Sequence, residues 1–327
     1  MAGSDYHRPV LLDESLAMLA LRPGSRVVDG TIGGGGHAEA ILRAIAPSGR
    51  LIGFDVDEEA LAACAARLAP FGDRVHLERA SFRELGRVLE ALGIARVDAV
   101  LLDLGVSSRQ LDAPDRGFRF AEESADVTAL DMRMDARSPR TAAQLLAEAT
   151  PAQLEHWFRT YGELPGAHRL AAAIVEARRR APLRTVRDLL DVIARARVGG
   201  GRRHHPATLV FQALRIAVND ELGALDEGLT AAIERLAPGG RLVVIAYHSL
   251  EDRLVKERFR GEARGCVCPP RQPVCTCGRA PRLRLVTRRA LRPTDAEVRA
   301  NPRARSARLR AAQRLADAPP ARPQEAA

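Results

Sequence analysis

The chain has 327 residues, is 46% hydrophobic and 28% charged, and carries a net charge of +9. That composition supports a buried core and excludes a disordered chain, and the length suggests about two domains. No apolar run reaches the ~18 residues of a membrane span, and the opening MAGSDYHRPV lacks a signal-peptide core, so a soluble, cytoplasmic protein is expected.

Taken in chain order, SRVVDG (25–30) predicts a strand running into a glycine loop, and HAEAILRAI (37–45) a helix. RLIGFDVD (50–57) predicts a second strand, and EEALAACAARLA (58–69) a helix whose two leading acids suit its positive end. RVHLERA (74–80), a helix near 84–92 and VDAVLLDLG (97–105) continue the alternation. Near-continuous apolar strands separated by helices predict an α/β fold with a mainly parallel sheet covered on both faces. Residues 106–207 then contain helix-like stretches only, which predicts a helical insertion between two neighbouring strands. A long helix over about 208–236, closed by Pro238-Gly239-Gly240, leads into the strand RLVVIAYHS (241–249). A helix (250–260), a cysteine segment, a strand-like RLRLVTRR (282–289) and an arginine-rich tail follow. The expected division is 1–105, 106–207, 208–290 and 291–327.

The loop VVDGTIGGGGHA (27–38) is the most informative segment. Glycines without Cβ let backbone N–H groups approach a ligand, and Gly33-x-Gly35-x-x-Ala38 loosely fits a dinucleotide fingerprint. Asp29 at the strand end argues against a pyrophosphate and for the amino and sulfonium groups of S-adenosylmethionine. Asp55 stands where an acid accepts hydrogen bonds from ribose hydroxyls; Asp57 could do so instead but is better placed to cap the next helix. Ser81-Phe82 falls where an adenine would lie. Asp103, at the fourth strand end, is the candidate acceptor for the attacking group, with His248 as an alternative base or a core histidine. Ser249 is the expected N-cap of the following helix, with Asp252 at its third position.

Basic residues concentrate towards the C-terminus, where residues 253–327 hold 19 of the 50 Lys and Arg but only 6 of the 41 Asp and Glu. This predicts a polyanionic partner, with Arg303, Arg305, Arg308, Arg310 and the run Arg202-Arg203-His204-His205 as candidate phosphate contacts. The quartet Cys266, Cys268, Cys275 and Cys277 could hold a zinc ion, although a reduced surface loop is the favoured reading because the usual C-x-x-C spacing is absent.

Together HRPVLLDE (7–14), DGTIGGGGHA (29–38), LLDLGVSSRQLD (101–112), RGFRF (116–120), LDMRMD (130–135), FQALRIAVNDEL (211–222), LAPGGRLVVIAYHSLEDRLVK (236–256) and NPRARSARLR (301–310) resemble the bacterial MraW family of ribosomal RNA small subunit methyltransferases over nearly the whole chain. The resemblance implies a class I, Rossmann-like methyltransferase sheet interrupted by an all-helical domain. It also implies methyl transfer from S-adenosylmethionine to the exocyclic N4 of a decoding-centre cytidine of 16S rRNA. It places Gly35, Gly36, His37, Asp55, Phe82, Asp103 and Gln110 at the cofactor. The chain departs from the family pattern at Thr128-Ala129, at Leu164 after Tyr161-Gly162-Glu163, and at Leu209 after His205-Pro206-Ala207-Thr208, all positions that bear on substrate contacts. The other readings are a methyltransferase of another nucleic-acid base, an NAD-linked oxidoreductase, and a non-catalytic RNA-binding module of ribosome assembly.

Overall fold

Apolar runs at Arg26–Asp29 (β1), Arg50–Asp55 (β2), Val75–Arg79 (β3) and Val97–Asp103 (β4) form parallel strands, with β1 between β2 and β4 and β3 on the outer side of β2. This arrangement comes from a computed structural model that describes residues 9–106, 116–120, 124–199, 205–266, 268–269, 272, 276–277 and 279–316. Strand β5 (Leu236–Ala246) continues the sheet parallel to β4, and β6 (Leu283–Leu285) and β7 (Arg308–Arg314) complete it in the order β3-β2-β1-β4-β5-β7-β6. Strand β7 runs antiparallel to both neighbours. The order with one reversed strand is that of a Rossmann-like methyltransferase sheet, as expected.

Helices α1 (Leu12–Leu19), α2 (Gly36–Ala44), α3 (Glu58–Leu68) and α4 (Leu85–Ala91) alternate with the first strands. Successive strand residues point to opposite faces: Val28, Ile52, Val100, Leu102 and Val244 pack with Leu85 and Leu89, whereas Val27, Leu51, Leu101, Val243 and Ile245 pack with Ile41 and Leu42. Both faces are buried, so the strands read as apolar runs rather than alternating ones.

The chain divides into two units, Met1–Gly105 with Ala224–Ala327, and Val106–Gly223. The second unit contains α5 (Ala142–Glu148), α6 (Pro151–Thr160), α7 (Ala167–Arg180), α8 (Val186–Ala196) and α9 (Pro206–Asn219). Thr141, Thr150 and Thr185 start three of these helices, each with a reciprocal bond from the third helical residue. Leu146, Leu154, Phe158, Leu170, Ile174, Leu189 and Leu214 lie in its core.

Three expectations change. The helix expected over 208–236 is two helices, because Asp220 adopts φ +48° and ends α9 before α10 (Glu221–Arg235) begins. Aspartate is one of the few side chains that tolerates that left-handed conformation. The second unit ends at Gly223, within the first turn of α10. Pro238-Gly239-Gly240 lies within the span of β5 and not at a helix end: Val97 pairs with Leu236 and Ala99 with Arg241, so the intervening residues bulge out, with Gly239 at φ +85°. The arginine-rich tail is built into the sheet. It supplies α12 (Asp295–Ala300) and β7, whose Leu309, Ala311 and Ala312 are buried.

Candidate active site

The first unit gathers its chemistry where β1, β2, β4 and β5 end. Asp29 closes β1 at 1% exposure, and its Oδ1 accepts from the N–H of Thr31 at 3.2 Å. The chain then turns through the glycine loop into α2. Gly35 has φ +78°, and a Cβ there would stand 3.0 Å from Sγ of buried Cys64. A Cβ on Gly36 would meet Cγ of Pro9 at 2.5 Å. The first glycine serves the turn, and the second admits the N-terminal segment.

Asp55, at the end of β2, ties that loop down. Its Oδ2 accepts from Gly33 N–H and its Oδ1 from Asp57 N–H, both at 2.9 Å. Asp57 caps α3 by accepting from Glu59 N–H at 3.0 Å, as expected of it. Arg67 of α3 donates to the carbonyl of Gly34 at 3.0 Å, a clamp that no loop motif revealed.

Asp103 ends β4. Its N–H donates to Thr31 Oγ1 at 2.6 Å, its Oδ1 accepts from the Tyr247 hydroxyl at 2.8 Å, and its side chain keeps 22% exposure. His37, in the first turn of α2, is 7% exposed and donates from Nε2 to the carbonyl of Val10 at 3.1 Å. A carbonyl only accepts, so the proton sits on Nε2, and the bare Nδ1 faces Asp103 Oδ2 at 3.6 Å. Burial pushes the His37 pKa down, which keeps the ring neutral.

The three acids share one electrostatic condition. Burial pushes Asp29 up to about 7, Asp103 up to about 7 and Asp55 up to about 6. At Asp29 burial outweighs the lowering by the Thr31 N–H, and Asp103 and Asp55 add smaller upward pushes. Such a trio is poised for a ligand that brings positive charge, and a pyrophosphate would aggravate the repulsion. Phe82 borders the same strand ends: a Cβ on Gly30 would lie 3.0 Å from its Cβ, and one on Gly228 would lie 2.4 Å from its ring. Ser81 caps the short turn carrying Phe82.

Beyond β5 the structure corrects the expected cap. His248, rather than Ser249, starts α11 (Ser249–Ala263): its Nδ1 accepts from Glu251 N–H at 3.4 Å, and Glu251 Oε2 accepts from the N–H groups of His248 and Tyr247 at 3.2 and 2.8 Å. An imidazole whose lone pair is spent on a helix end is a poor proton acceptor, so the geometry disfavours His248 as a base. Asp252 makes no cap. Its oxygens accept from Arg308 Nη1 at 2.8 Å and Arg310 Nε at 2.6 Å, so these two arginines lock β7 to α11 and are not open phosphate contacts. In the helical unit His205 caps α9 and stacks on Phe120 with ring centroids 5.6 Å apart. Gln110, Arg202, Arg203, His204 and Cys275 lie outside the described residues.

The profile of the MraW methylase family matches residues 4–315. The chain belongs to this family. Ribosomal RNA small subunit methyltransferase H of Symbiobacterium thermophilum is 51% identical over 312 residues, covering 95% of this chain and 97% of its own length. The protein of the same name from Heliobacterium modesticaldum is 51% identical over 316 residues, covering 95% and 99%. The resemblance read from the motifs is borne out.

Among MraW motifs, HRPVLLDE acquires a physical meaning here. Pro9 abuts Gly36, the Val10 carbonyl accepts from His37 Nε2, and Leu11 N–H donates to Glu297 Oε1 at 2.7 Å. Pro9, Val10 and Leu11 form a strap over the glycine loop, held by a residue far along the chain. Sequence reasoning missed this strap, Thr31, Arg67 and the Tyr247 hydroxyl. Only Tyr247 carried a signal, as a polar residue ending an apolar strand beside β4.

Proposed function

We propose that this chain uses S-adenosylmethionine to methylate the exocyclic N4 of a cytidine in the 16S RNA of the small ribosomal subunit. Membership of a methylase family supports the reaction class, and the name that its relatives carry, ribosomal RNA small subunit methyltransferase H, supports the RNA. The observation that carries the donor is the trio Asp29, Asp55 and Asp103, raised by burial around one glycine loop. S-adenosylmethionine fits it because it brings a sulfonium, an amine and ribose hydroxyls but no phosphate. When bound, it supplies an electrophilic methyl carbon on a positively charged sulfur.

Each residue then has a task. Gly35 and Gly36 let the backbone approach the donor, and His37 pins the loop to the strap through Val10. Asp55 accepts the ribose hydroxyls with lone pairs left over from its bonds to the backbone N–H groups of Gly33 and Asp57. Asp29 provides the buried negative charge, and Phe82 flanks the adenine. Asp103 accepts a hydrogen of the cytosine amine. That nitrogen is a weak nucleophile because its lone pair is delocalised into the ring, so the acceptor orients it, favours a pyramidal geometry and takes the proton released on attack. The base must be unpaired or extruded to reach the site.

The raised carboxyls give the donor a protonic signature. A cation favours the ionised acids, so binding near pH 6.5 should release protons, and affinity should weaken as pH falls from about 7 through about 6. Calorimetry in buffers of different ionisation enthalpy reads the release directly; no buffer dependence, or proton uptake, would remove the trio from the donor site. The RNA assignment is tested by incubating purified protein with undermethylated small subunits and labelled donor, then mapping nucleosides by mass. Label in N4-methylcytidine is expected, and label confined to another base would replace the reading.

A further inference from the structure

Residues 264–281 leave α11 and return to β6 with no helix or strand among the described residues, and the excursion is closed at its neck by Arg282 N–H donating to the Glu262 carbonyl at 2.8 Å. Connections of this length without structure of their own are uncommon in a folded unit unless something pins them. Here the sulfurs converge. The Sγ atoms of Cys266, Cys268 and Cys277 all lie within 4.8 Å of one another, and those of Cys266 and Cys277 are 3.8 Å apart. That separation is far beyond a disulfide bond of about 2.05 Å. It equals the edge, about 3.8 Å, of a tetrahedron whose centre lies about 2.3 Å from each sulfur, the usual zinc–thiolate distance.

We propose that Cys266, Cys268 and Cys277 are ligands of one structural zinc ion that pins this excursion. The surrounding groups suit thiolates. Cys268 N–H donates to Cys266 Sγ at 3.4 Å, a bond that stabilises sulfur as an anion and fixes its lone pairs. Thr276 Oγ1 lies 3.8 Å from Cys268 Sγ and accepts from Gln272 Nε2 at 2.8 Å, which leaves its own proton for the sulfur. The stretch from 263 to 282 contains no Asp or Glu, and Arg264 and Arg279 within it bring positive charge that offsets the net negative charge of a thiolate-bound divalent ion. Three protein thiols leave one tetrahedral position, and the sequence carries a further cysteine, Cys275, within the same stretch. Coordination sends the thiol protons to solvent and oxidises nothing. The spacing C-x-C…C-x-C hid the site from motif reasoning; the fold, not the spacing, closes it.

The test uses the full chain purified without chelator or affinity metal. Elemental analysis should return about one zinc per chain, and X-ray absorption should show sulfur neighbours at about 2.3 Å. Cobalt exchanged for zinc should give an intense sulfur-to-metal charge-transfer band, which oxygen or nitrogen ligands do not produce. Cys266→Ser and Cys277→Ser should each lower zinc content at least fivefold, while Cys64→Ser, at the glycine loop, should retain it. If the serine variants do not fold, the cobalt spectrum of the unaltered chain decides. Less than a tenth of a zinc per chain with freely alkylated thiols, a disulfide in the native mass, or iron in place of zinc would each overturn the proposal.

Discussion

Replacing Asp103 by Asn should lower kcat about 10²–10⁴-fold at saturating donor while leaving the protein folded. The change is nearly isosteric, and the amide oxygen still accepts from the Tyr247 hydroxyl. The amide NH₂ then faces the incoming amine, so donor meets donor and no group takes the proton. A near-normal kcat would remove Asp103 from the chemistry. Its raised pKa adds a pH signature with a defined sign. The ionised form is the active one, so kcat/KM should rise with pH through about 7. A bound cation lowers that pKa, so the corresponding limb of kcat should lie at lower pH. Burial raises the Asp103 pKa and the Tyr247 hydrogen bond lowers it, so Tyr247→Phe should move the kcat/KM limb upward. That displacement distinguishes a tuning contact from a packing one.

Asp252→Ala should cost about 3–5 kcal/mol of stability, the usual consequence of removing one partner from a buried ion pair. The Asp252 side chain is 8% exposed and holds Arg310 at 13% and Arg308 at 39%. Burial pushes its carboxyl up, but Arg310 and Arg308 together outweigh this and hold it below the usual carboxylate range. A lowered native pKa means that the contribution is complete above the unfolded value of about 4 and is lost as pH falls below it. Urea unfolding at pH 7.5 should therefore show a large loss of midpoint, and the gap between variant and original should narrow below about pH 4, by at most about 1.4 kcal/mol per pH unit. A loss under 1 kcal/mol at pH 7.5 would make the triad a surface ornament. Removing Arg308 alone should cost less, because it is the more exposed partner.

The strand–helix rhythm through residue 105 was legible because both faces of the sheet are buried, which writes each strand as an apolar run such as VDAVLLD. Strand β7 was not. Its alternation is carried by Arg308 and Arg310 against Leu309 and Ala311, and arginine reads as solvent until Asp252 is known to lie opposite. The break at Asp220 and the bulge before Arg241 escaped notice because both depend on tertiary register rather than local propensity. At the site, the acids were legible by their place at strand ends. Their shared electrostatic state was not, since desolvation is a property of the assembled cleft. The cap on α11 shows the same limit: Ser249 has the better composition, but the side chain that reaches the free N–H belongs to His248.

The position of β7 has a consequence for biosynthesis. The outer edge of β5 finds its neighbour only in residues 308–314, and the Leu11–Glu297 bond joins positions 286 residues apart. During vectorial emergence from the exit tunnel, the first four strands can pair early, whereas β5 keeps an open ladder until late in translation, the interval in which unpaired edges invite association with other chains. Donor affinity should then arise almost at once with this final pairing, because the strap that closes the glycine loop is fastened by the same late segment.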